Sequence, residues 1–318
     1  MLKPLFFRYG KRYRPISQHY HETFGRKVYK LSVSIVDSCP NRRGLNNMDV
    51  CIFCDEWGSA AYYQQLGKPL SEQIRKNRDA IRKRYGAEKF LIYFQSYSNT
   101  FGKLKELESF YKMGLVEKDV IGIIIGTRPD CLPKRILKSF EEIVEKNYLS
   151  IELGIQTLND KQLLFLSRGH DSKCSIKAIN KIKKLSNINL CVHLIFGLPN
   201  ETDQQLIDTA KILSDLKVDG VKLHNLHVLR NTPLESMYLK SQFTPIGLDE
   251  YTRKVSLFLE NLSPKIAIHR LTAVASRWDE LVSPKWTKEK MRPTQYIEDY
   301  LKSMDTWQGK FFSDNNSI

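Results

Sequence analysis

Short apolar runs recur along this chain and are separated by longer stretches whose apolar positions have helical spacing. The short runs predict six strands, at residues 30–36, 89–95, 119–126, 149–155, 188–196 and 219–228. The longer stretches predict helices at residues 70–86, 103–117, 133–147, 160–186 with a break near Gly169, and 202–217. Because each helix is long enough to serve as a crossover, the pattern is typical of a parallel α/β sheet.

The remaining sequence extends this pattern toward the C-terminus. Residues 245–263 predict another helix and Lys265 to Leu271 a final strand, whereas the tail beyond Trp278 is mixed. In parallel barrels the chemistry lies at the C-terminal ends of the strands. The polar residues that end or directly follow each predicted strand are therefore the candidates for a functional site.

Composition favours one large cytoplasmic domain. The chain has 318 residues, 42% of them hydrophobic, which is enough for a full core in one α/β barrel. Its longest apolar runs are strand-sized and its basic N-terminus lacks an apolar segment, so we expect neither a membrane span nor a signal peptide. The six cysteines would then stay reduced and could act as ligands.

The charge of the chain suggests a polyanionic partner. Lysine and arginine number 50 against 35 acidic residues, a net charge of +15. The first 30 residues contain eight of these cations, Lys3 among them, against Glu22 alone, and a second basic run covers residues 75–89. Aromatic residues that could stack on bases interleave with the first group: Phe6, Phe7, Tyr9, Tyr13 and Tyr20. The alternative is a solvated basic arm without a ligand.

Three cysteines fall in the loop that follows the first predicted strand. Cys39, Cys51 and Cys54 have the spacing C-x11-C-x2-C, and the other three cysteines are scattered singly. A closed structural zinc site needs four ligands, whereas an iron–sulfur cluster held by three thiolates keeps one iron open. A zinc loop completed by a distant histidine, or free thiols in a reducing cytosol, are the alternatives.

Charged and special residues near the later strands suggest ligand recognition. Glu152, within an apolar strand, either binds hydroxyl groups such as those of a ribose or pairs with a cation, for which Arg168 is the candidate. Arg168 could instead bind a carboxylate in bidentate fashion. Gly197 permits close backbone approach to a flat ring such as adenine. The histidines on predicted strands are more typical of core or lining positions: His193, His224 and His227.

Several motifs resemble those of one protein family. The opening Cys39-Pro-Asn-Arg, the eleven-residue gap and the closing Cys51-Ile-Phe-Cys54 are similar to the cluster loop of the bacterial YhcC/YtqA (MnmL-like) radical SAM family. The resemblance covers roughly residues 25–275 and includes Thr127-Arg-Pro-Asp130, Glu152-Leu-Gly-Ile-Gln-Thr157, Arg168-Gly-His170, Lys222-Leu-His224 and Arg230-Asn-Thr232. This family is related to the radical SAM half of the Elongator catalytic subunit.

The resemblance implies a fold and its cofactors. It implies a partial (β/α)6 TIM-like barrel over residues 30–275, flanked by the basic N-terminal arm, 1–29, and a mixed C-terminal extension, 276–318. It also implies that Cys39, Cys51 and Cys54 hold a [4Fe-4S] cluster, which binds and cleaves S-adenosyl-L-methionine to give a 5'-deoxyadenosyl radical. The residues expected to contact S-adenosylmethionine are Gln95, Ser96, Glu152, Gln156, Arg168 and Gly197.

The resemblance also implies a substrate. Family members are associated with the tRNA wobble uridine, whose 5-carboxymethylaminomethyl group they convert to 5-aminomethyl, and a flavodoxin or ferredoxin would donate electrons. The predicted substrate or nucleic-acid contacts are Arg8, Lys11, Arg12, Arg14, Arg128, Lys222 and Arg230. Cys131 is either a reactive thiol at the barrel mouth or an inert one. The alternatives are a radical SAM enzyme with a small-molecule or peptide substrate and a non-catalytic, zinc-dependent RNA-binding protein.

Overall fold

A curled parallel sheet forms the centre of the structure, a computed structural model that describes residues 4–58, 67–275 and 278–313. Its seven strands lie in the order β1 (Val28–Val33), β2 (Lys89–Phe94), β3 (Val120–Thr127), β4 (Tyr148–Gln156), β5 (Ile188–Phe196), β6 (Gly220–Asn225) and β8 (Ala267–Arg270). Because the spatial order follows the chain, every crossover moves one step in the same direction. The sheet therefore curls into an open half-barrel, which confirms the predicted partial barrel.

Helices surround this sheet, and most of them cover its outer face. They are α1 (Ile16–Phe24), α2 (Leu70–Tyr85), α3 (Leu104–Gly114), α4 (Lys134–Val144), α5 (Asp160–Phe165), α6 (Ser172–Lys183), α7 (Asp203–Asp215), α8 (Pro233–Leu239), α9 (Leu248–Asn261) and α10 (Arg292–Ser303). Phe140 of α4 and Ile179 of α6 share one buried core with Ile151 of β4. The predicted break near Gly169 separates α5 from α6. None of the helices in the described part of the chain is long and apolar enough to cross a bilayer.

The last strands differ in detail from the prediction. The sixth strand ends at Asn225, not at residue 228, and Val228–Leu229 (β7) pairs antiparallel with Leu281–Ser283 (β9) in a separate two-stranded sheet. Periodicity alone could not detect this turn because the apolar spacing continues through it. The predicted final strand, β8, pairs in parallel with β6 and becomes the seventh strand of the half-barrel.

The N-terminal segment, residues 4–27, packs against the half-barrel, so a separate basic arm was the wrong expectation. Pro15 bridges Ile268 of the edge strand β8, whose backbone N–H donates to the carbonyl of Arg14 at 2.7 Å. Helix α1 closes the lower end of the barrel, where its buried Tyr20 shares an apolar cluster with strand residues Leu91, Tyr93 and Ile124. The segment thus shields a strand edge that would otherwise be exposed.

Most of the aromatic and basic side chains predicted to bind nucleic acid are instead buried in this segment or paired within the chain. Phe6, Tyr13 and Tyr20 are buried, so they cannot stack on bases as predicted. Three of its cations form ion pairs within the chain: Lys11 with Glu298, Arg12 with Asp305, and Arg14 with Glu22. Arg8 is exposed, and Lys3 lies outside the described residues. Aromatic and basic residues therefore alternate here because one set packs and the other pairs.

Removing a buried ring of this segment should destabilise the whole barrel. Tyr13 is 7% exposed and its hydroxyl donates to Glu298 at 2.7 Å, so Tyr13→Ala should lower the free energy of unfolding by about 3–5 kcal/mol. The matched control is Tyr9→Ala, because Tyr9 is 58% exposed and its loss should cost less than about 0.5 kcal/mol. Urea unfolding of both variants measures this, and equal midpoints would show that the segment is not part of the fold.

Candidate active site

A cavity of about 240 Å³ lies inside the half-barrel, at the C-terminal ends of the strands. The cysteines of the loop after β1 line one side of it: Cys39, Cys51 and Cys54. Residues from β6, β8 and the loops after them line another: Lys222, His224, Asn225, His227 and Arg270. Strands β3 and β4 and the loop after α5 contribute charged side chains between them: Arg128, Glu152 and Arg168. The structure thus brings together residues that lie far apart in the sequence.

The cysteine loop is fixed to the connection between α5 and α6. The side-chain amide of Asn41 donates to the carbonyl of Ser167 at 2.7 Å, and the N–H of Ile52 donates to the carbonyl of Leu166. Gly169 has φ +69°, and a Cβ there would lie 2.1 Å from the Met48 sulfur. The glycine of the Arg168-Gly-His170 motif is therefore required because the cysteine loop packs directly upon it.

Two guanidinium groups face the cysteine sulfurs. Nη1 of Arg168 lies 3.4 Å from Cys51 Sγ, while its Nη2 donates to the carbonyl of Gly154 at 2.9 Å. Nη2 of Arg42 lies 3.7 Å from Cys54 Sγ. Cysteines bind metal as thiolates, so both guanidinium groups would face negative charge when the sulfurs hold a metal centre. Arg168 consequently belongs to the cysteine site, and its alternative pairing with Glu152 is wrong.

The number of cysteines at the site indicates the kind of group they can hold. All three cysteines line the same cavity, and no fourth cysteine lines it among the described residues. A closed structural zinc site takes four protein ligands. Three thiolates with one open position are the donor set of an iron–sulfur cluster, so the residues present fit such a centre.

Glu152 is the centre of a buried ion network. Its Oε1 accepts from Lys30 at 2.8 Å, and its Oε2 accepts from Lys222 and from His193, both at 2.7 Å. His269 Nδ1 lies 3.5 Å from Oε1. Burial alone would raise the pKa of Glu152, but Lys222 and Lys30 hold it well below its usual range. Both oxygens are engaged and the side chain has no exposed surface, so Glu152 is satisfied within the chain, and its contact with a ribose stays a prediction.

The histidines of the interior are neutral. Burial lowers the pKa of His193 and of His227 to about 4 and that of His269 to about 3, and it holds the pKa of His224 well below its ordinary value. His193, His224 and His227 line the cavity, as their strand positions predicted. Positive charge in the interior therefore comes from lysine and arginine only.

Comparison with known proteins identifies the family. The model of the radical SAM superfamily matches residues 33–213, and that of the radical SAM C-terminal domain matches residues 218–303. The chain belongs to the radical SAM superfamily. Its cofactors are accordingly a [4Fe-4S] cluster and S-adenosylmethionine, as the resemblance implied.

Individual relatives refine this assignment. The uncharacterized protein YtqA of Bacillus subtilis is 34% identical over 302 residues, which cover 95% of this chain and 93% of YtqA, so the YhcC/YtqA resemblance is confirmed. The tRNA uridine(34) acetyltransferase of Methanocaldococcus jannaschii is 28% identical over 152 residues, 47% of this chain and 27% of that protein. The solved structure of Methanocaldococcus infernus Elp3 with an N-terminal deletion has a TM-score of 0.67 at 17% identity and covers 88% of this chain and 64% of that one. This last match shows a shared fold.

Of the other residues predicted to contact S-adenosylmethionine, two line the cavity and two do not. Gln95 and Gln156 line the cavity of this radical SAM protein, and Gln156 has φ +67° where the register of β4 shifts against β5. Ser96 is fully buried and its hydroxyl donates to that of Ser34 at 2.7 Å. Gly197 has φ +83°, and a Cβ there would lie 2.6 Å from Ile246. Internal packing explains Ser96 and Gly197, which both lie outside the cavity.

The predicted substrate residues are also dispersed. Arg128 forms a bidentate ion pair with Asp130, at 2.9 and 2.8 Å, and donates to the carbonyl of Arg168, so it positions the cysteine site. Arg230 is exposed, away from the cavity. Cys131 is buried beside an outer cleft, and burial raises the pKa of its thiol to about 12, which favours the inert interpretation.

Distance alone would also allow a metal ion at a second place in the described chain. Ligand atoms of Glu152, Cys191 and His193 lie within 4.8 Å of one another. Lys30 and Lys222 already occupy the carboxylate, and burial raises the pKa of the Cys191 thiol well above its usual value. Two ammonium groups and a protonated thiol oppose a cation, so this cluster is part of the ion network.

Sequence analysis gave no role to Arg270, although it lines the cavity. The only signal was its place as the last residue of β8, because functional residues of parallel barrels collect at strand ends. Asn225 was also overlooked, and its only signal was likewise its place at the end of a strand, β6. Both are short of partners in the folded chain, a property that the sequence does not contain.

The neutral histidines predict a loss of stability in acid. An unfolded histidine has a pKa of about 6.5, but burial lowers the pKa of folded His193 to about 4. Between these values the unfolded chain binds more protons, so the free energy of unfolding should fall with falling pH, by up to about 1.4 kcal/mol per pH unit for each such histidine. Urea unfolding at several pH values should show a shallower slope for His193→Gln. The exposed His21→Gln is the control, and a slope equal in all three proteins would contradict the prediction.

Proposed function

We propose that this radical SAM protein modifies tRNA and converts the 5-carboxymethylaminomethyl group of the wobble uridine to 5-aminomethyl. The observation that carries the tRNA part is a basic cleft beside the cysteine loop. Its volume is about 1720 Å³, and it extends along that loop, the turn at Pro129–Cys131 and α6. Seven of its lining residues are cations, namely Arg43, Lys68, Lys103, Arg135, Lys173, Lys177 and Lys181. Four are acids: Asp37, Glu106, Asp130 and Asp171.

The most regular part of this surface is a lysine stripe on α6. Lys173, Lys177 and Lys181 are four residues apart, so they project from the same face of the helix, about 6 Å apart along its axis. All three are exposed, and none forms an ion pair with the described residues. Such a row of unneutralised cations suits a polyanionic backbone.

The comparisons also support tRNA as the proposed substrate. One relative is named a tRNA uridine(34) acetyltransferase, and its match covers 47% of this chain. The family resemblance implies the wobble uridine as substrate. A small-molecule or peptide substrate would leave the lysine stripe without a function.

The chain's own residues prepare the site for its cofactors. When bound, the cluster and S-adenosylmethionine supply a 5'-deoxyadenosyl radical. Cys39, Cys51 and Cys54 would hold the cluster, and Arg42 and Arg168 would stabilise the thiolates that they face. Gln95 and Gln156 are the proposed polar contacts of S-adenosylmethionine at the strand ends. The closed lower end of the barrel keeps water from the reacting group.

An electron donor is also required, because radical SAM enzymes need one. We propose a flavodoxin or ferredoxin for this role. The donor must approach the cluster from outside the barrel, where the cysteine loop borders the basic cleft.

Replacement of single cysteines tests the cluster site. Cys39→Ala, Cys51→Ala or Cys54→Ala should each reduce iron well below the about four atoms per chain expected of a [4Fe-4S] centre, and should abolish 5'-deoxyadenosine formation. Cys131→Ala and Cys174→Ala are the controls, because these thiols lie at the outer cleft and should leave the iron content unchanged. Anaerobic reconstitution followed by metal and sulfide analysis measures this. One zinc per chain without cleavage of S-adenosylmethionine would favour the RNA-binding alternative.

Mass spectrometry of tRNA nucleosides tests the substrate. A strain that lacks the gene should accumulate 5-carboxymethylaminomethyluridine and lose the 5-aminomethyl form, and the wild-type gene should reverse this. A gene encoding the changes K173Q, K177Q and K181Q should restore the product only partly, because fewer phosphates are neutralised. Lys211→Gln, on helix α7, is the control. An unchanged nucleoside profile would reject tRNA uridine as the substrate and leave the radical chemistry intact.

A further inference from the structure

One corner of the cavity contains a cation without an acidic partner. Arg270 ends β8, and its Nη2 lies 2.6 Å from Nδ1 of His224, while its Nε donates to the carbonyl of Leu223. Within residues 4–58, 67–275 and 278–313, no Asp or Glu forms an ion pair with it and its Nη1 donates to no protein atom. His224 is neutral, and an arginine inside a protein stays protonated. Arg270 therefore lacks a direct acidic partner, and the anion that acts on it from a distance is Glu152.

The neighbouring ion network adds to this excess. Glu152 is one carboxylate shared by two ammonium groups, those of Lys30 and Lys222. With Arg270, three cations face one anion in this part of the interior, and the surrounding histidines contribute no charge. Burial of such an excess is unfavourable unless an anion enters.

Asn225 provides an independent indication of a ligand. It is 3% exposed and lines the same cavity. Its Oδ1 accepts from the hydroxyl of Thr272 at 2.9 Å and from the N–H of Ala273 at 3.1 Å, which fixes the orientation of the amide. Its Nδ2 is buried without a hydrogen-bond partner in the described chain. A buried N–H donor of this kind is normally satisfied, so a ligand oxygen is the expected partner.

We propose that Arg270, Asn225 and Lys222 bind a carboxylate of the substrate. The Nη1 of Arg270, which donates to no atom of the described chain, can donate to a carboxylate oxygen in a charge-assisted hydrogen bond. A phosphodiester would need room for a nucleoside on each side, whereas a carboxylate ends its chain and fits an interior corner. The proposal rests on the proposed function, since the 5-carboxymethylaminomethyl group ends in a carboxylate. The 5-aminomethyl product lacks that group, so the same contacts would distinguish substrate from product.

The direct test is ligand binding to the full-length chain loaded with its cluster and S-adenosylmethionine. N-methylglycine is the probe, because it reproduces the end of the modified side chain, and N-methylglycinamide is the counterpart that keeps the amine and lacks the carboxylate. Arg270→Gln should weaken binding of N-methylglycine about 10- to 100-fold. Arg270→Lys should give an intermediate value, because lysine keeps the positive charge but lacks the planar guanidinium. Arg292→Gln on α10 is the control; equal binding of the amide, or binding unaffected at Arg270, would overturn the proposal.

Two further measurements exclude other roles of Arg270. S-adenosylmethionine also has a carboxylate, so its affinity must stay unchanged in Arg270→Gln, and an equal loss would assign Arg270 to the cofactor. A purely structural arginine would lower stability when replaced. Because Arg270 is a buried cation without a direct acidic partner in the described chain, Arg270→Gln without ligand should unfold at the same urea concentration as the wild type or a higher one. A clear loss of stability would count against an anion site.

The test also separates this proposal from the proposed function. Wild-type protein that binds N-methylglycine through Arg270 but leaves modified tRNA unchanged would retain the carboxylate site and reject the uridine substrate. Full turnover of modified tRNA by Arg270→Gln would retain the function and reject the site.

Discussion

The interior of this half-barrel depends on one buried carboxylate. Glu152 on β4 binds Lys30 on β1, His193 on β5 and Lys222 on β6, and His269 on β8 lies beside it. These strands include both edges of the open sheet, so curvature is what brings their side chains to one point. An unpaired charge there would be strongly unfavourable. The network consequently specifies the curled arrangement, and a flatter sheet would leave Lys30 without its partner.

The same constraint limits what the network can do. A carboxylate that holds two lysines has little capacity left for a metal ion. Its effect on the site is indirect, because it fixes the position of Lys222. Burial lowers the pKa of Lys222 to about 8, so this lysine is close to losing its charge when Glu152 is its main anionic partner. A second anion nearby would stabilise the charged form.

Local features of the site could be predicted from the sequence, whereas long-range partnerships could not. The cysteine loop is one continuous stretch of sequence, and so is the Arg168-Gly-His170 motif. Strand periodicity placed both at the correct end of the sheet. The partners of Glu152 lie on other strands, so Arg168, a cation that follows the same strand in the sequence, was the wrong choice. The N-terminal segment was misjudged because aromatic residues between cations are equally suited to stacking on bases and to closing a barrel. Even the lysine stripe on α6, visible at a spacing of four, gained significance only when the cleft beside it was seen.

The distribution of cations divides the cavity into two chemically different sides. Near the cysteine loop each arginine has a partner: Arg168 and Arg42 face sulfur atoms, and Arg128 pairs with Asp130. Cluster binding would convert thiols to thiolates there, which would strengthen those contacts. Near β6 and β8, Arg270 has no acidic hydrogen-bond partner in the described chain, and Glu152 is already shared by Lys30 and Lys222. This difference between the two sides is the physical reason for proposing that an anion binds beside Arg270.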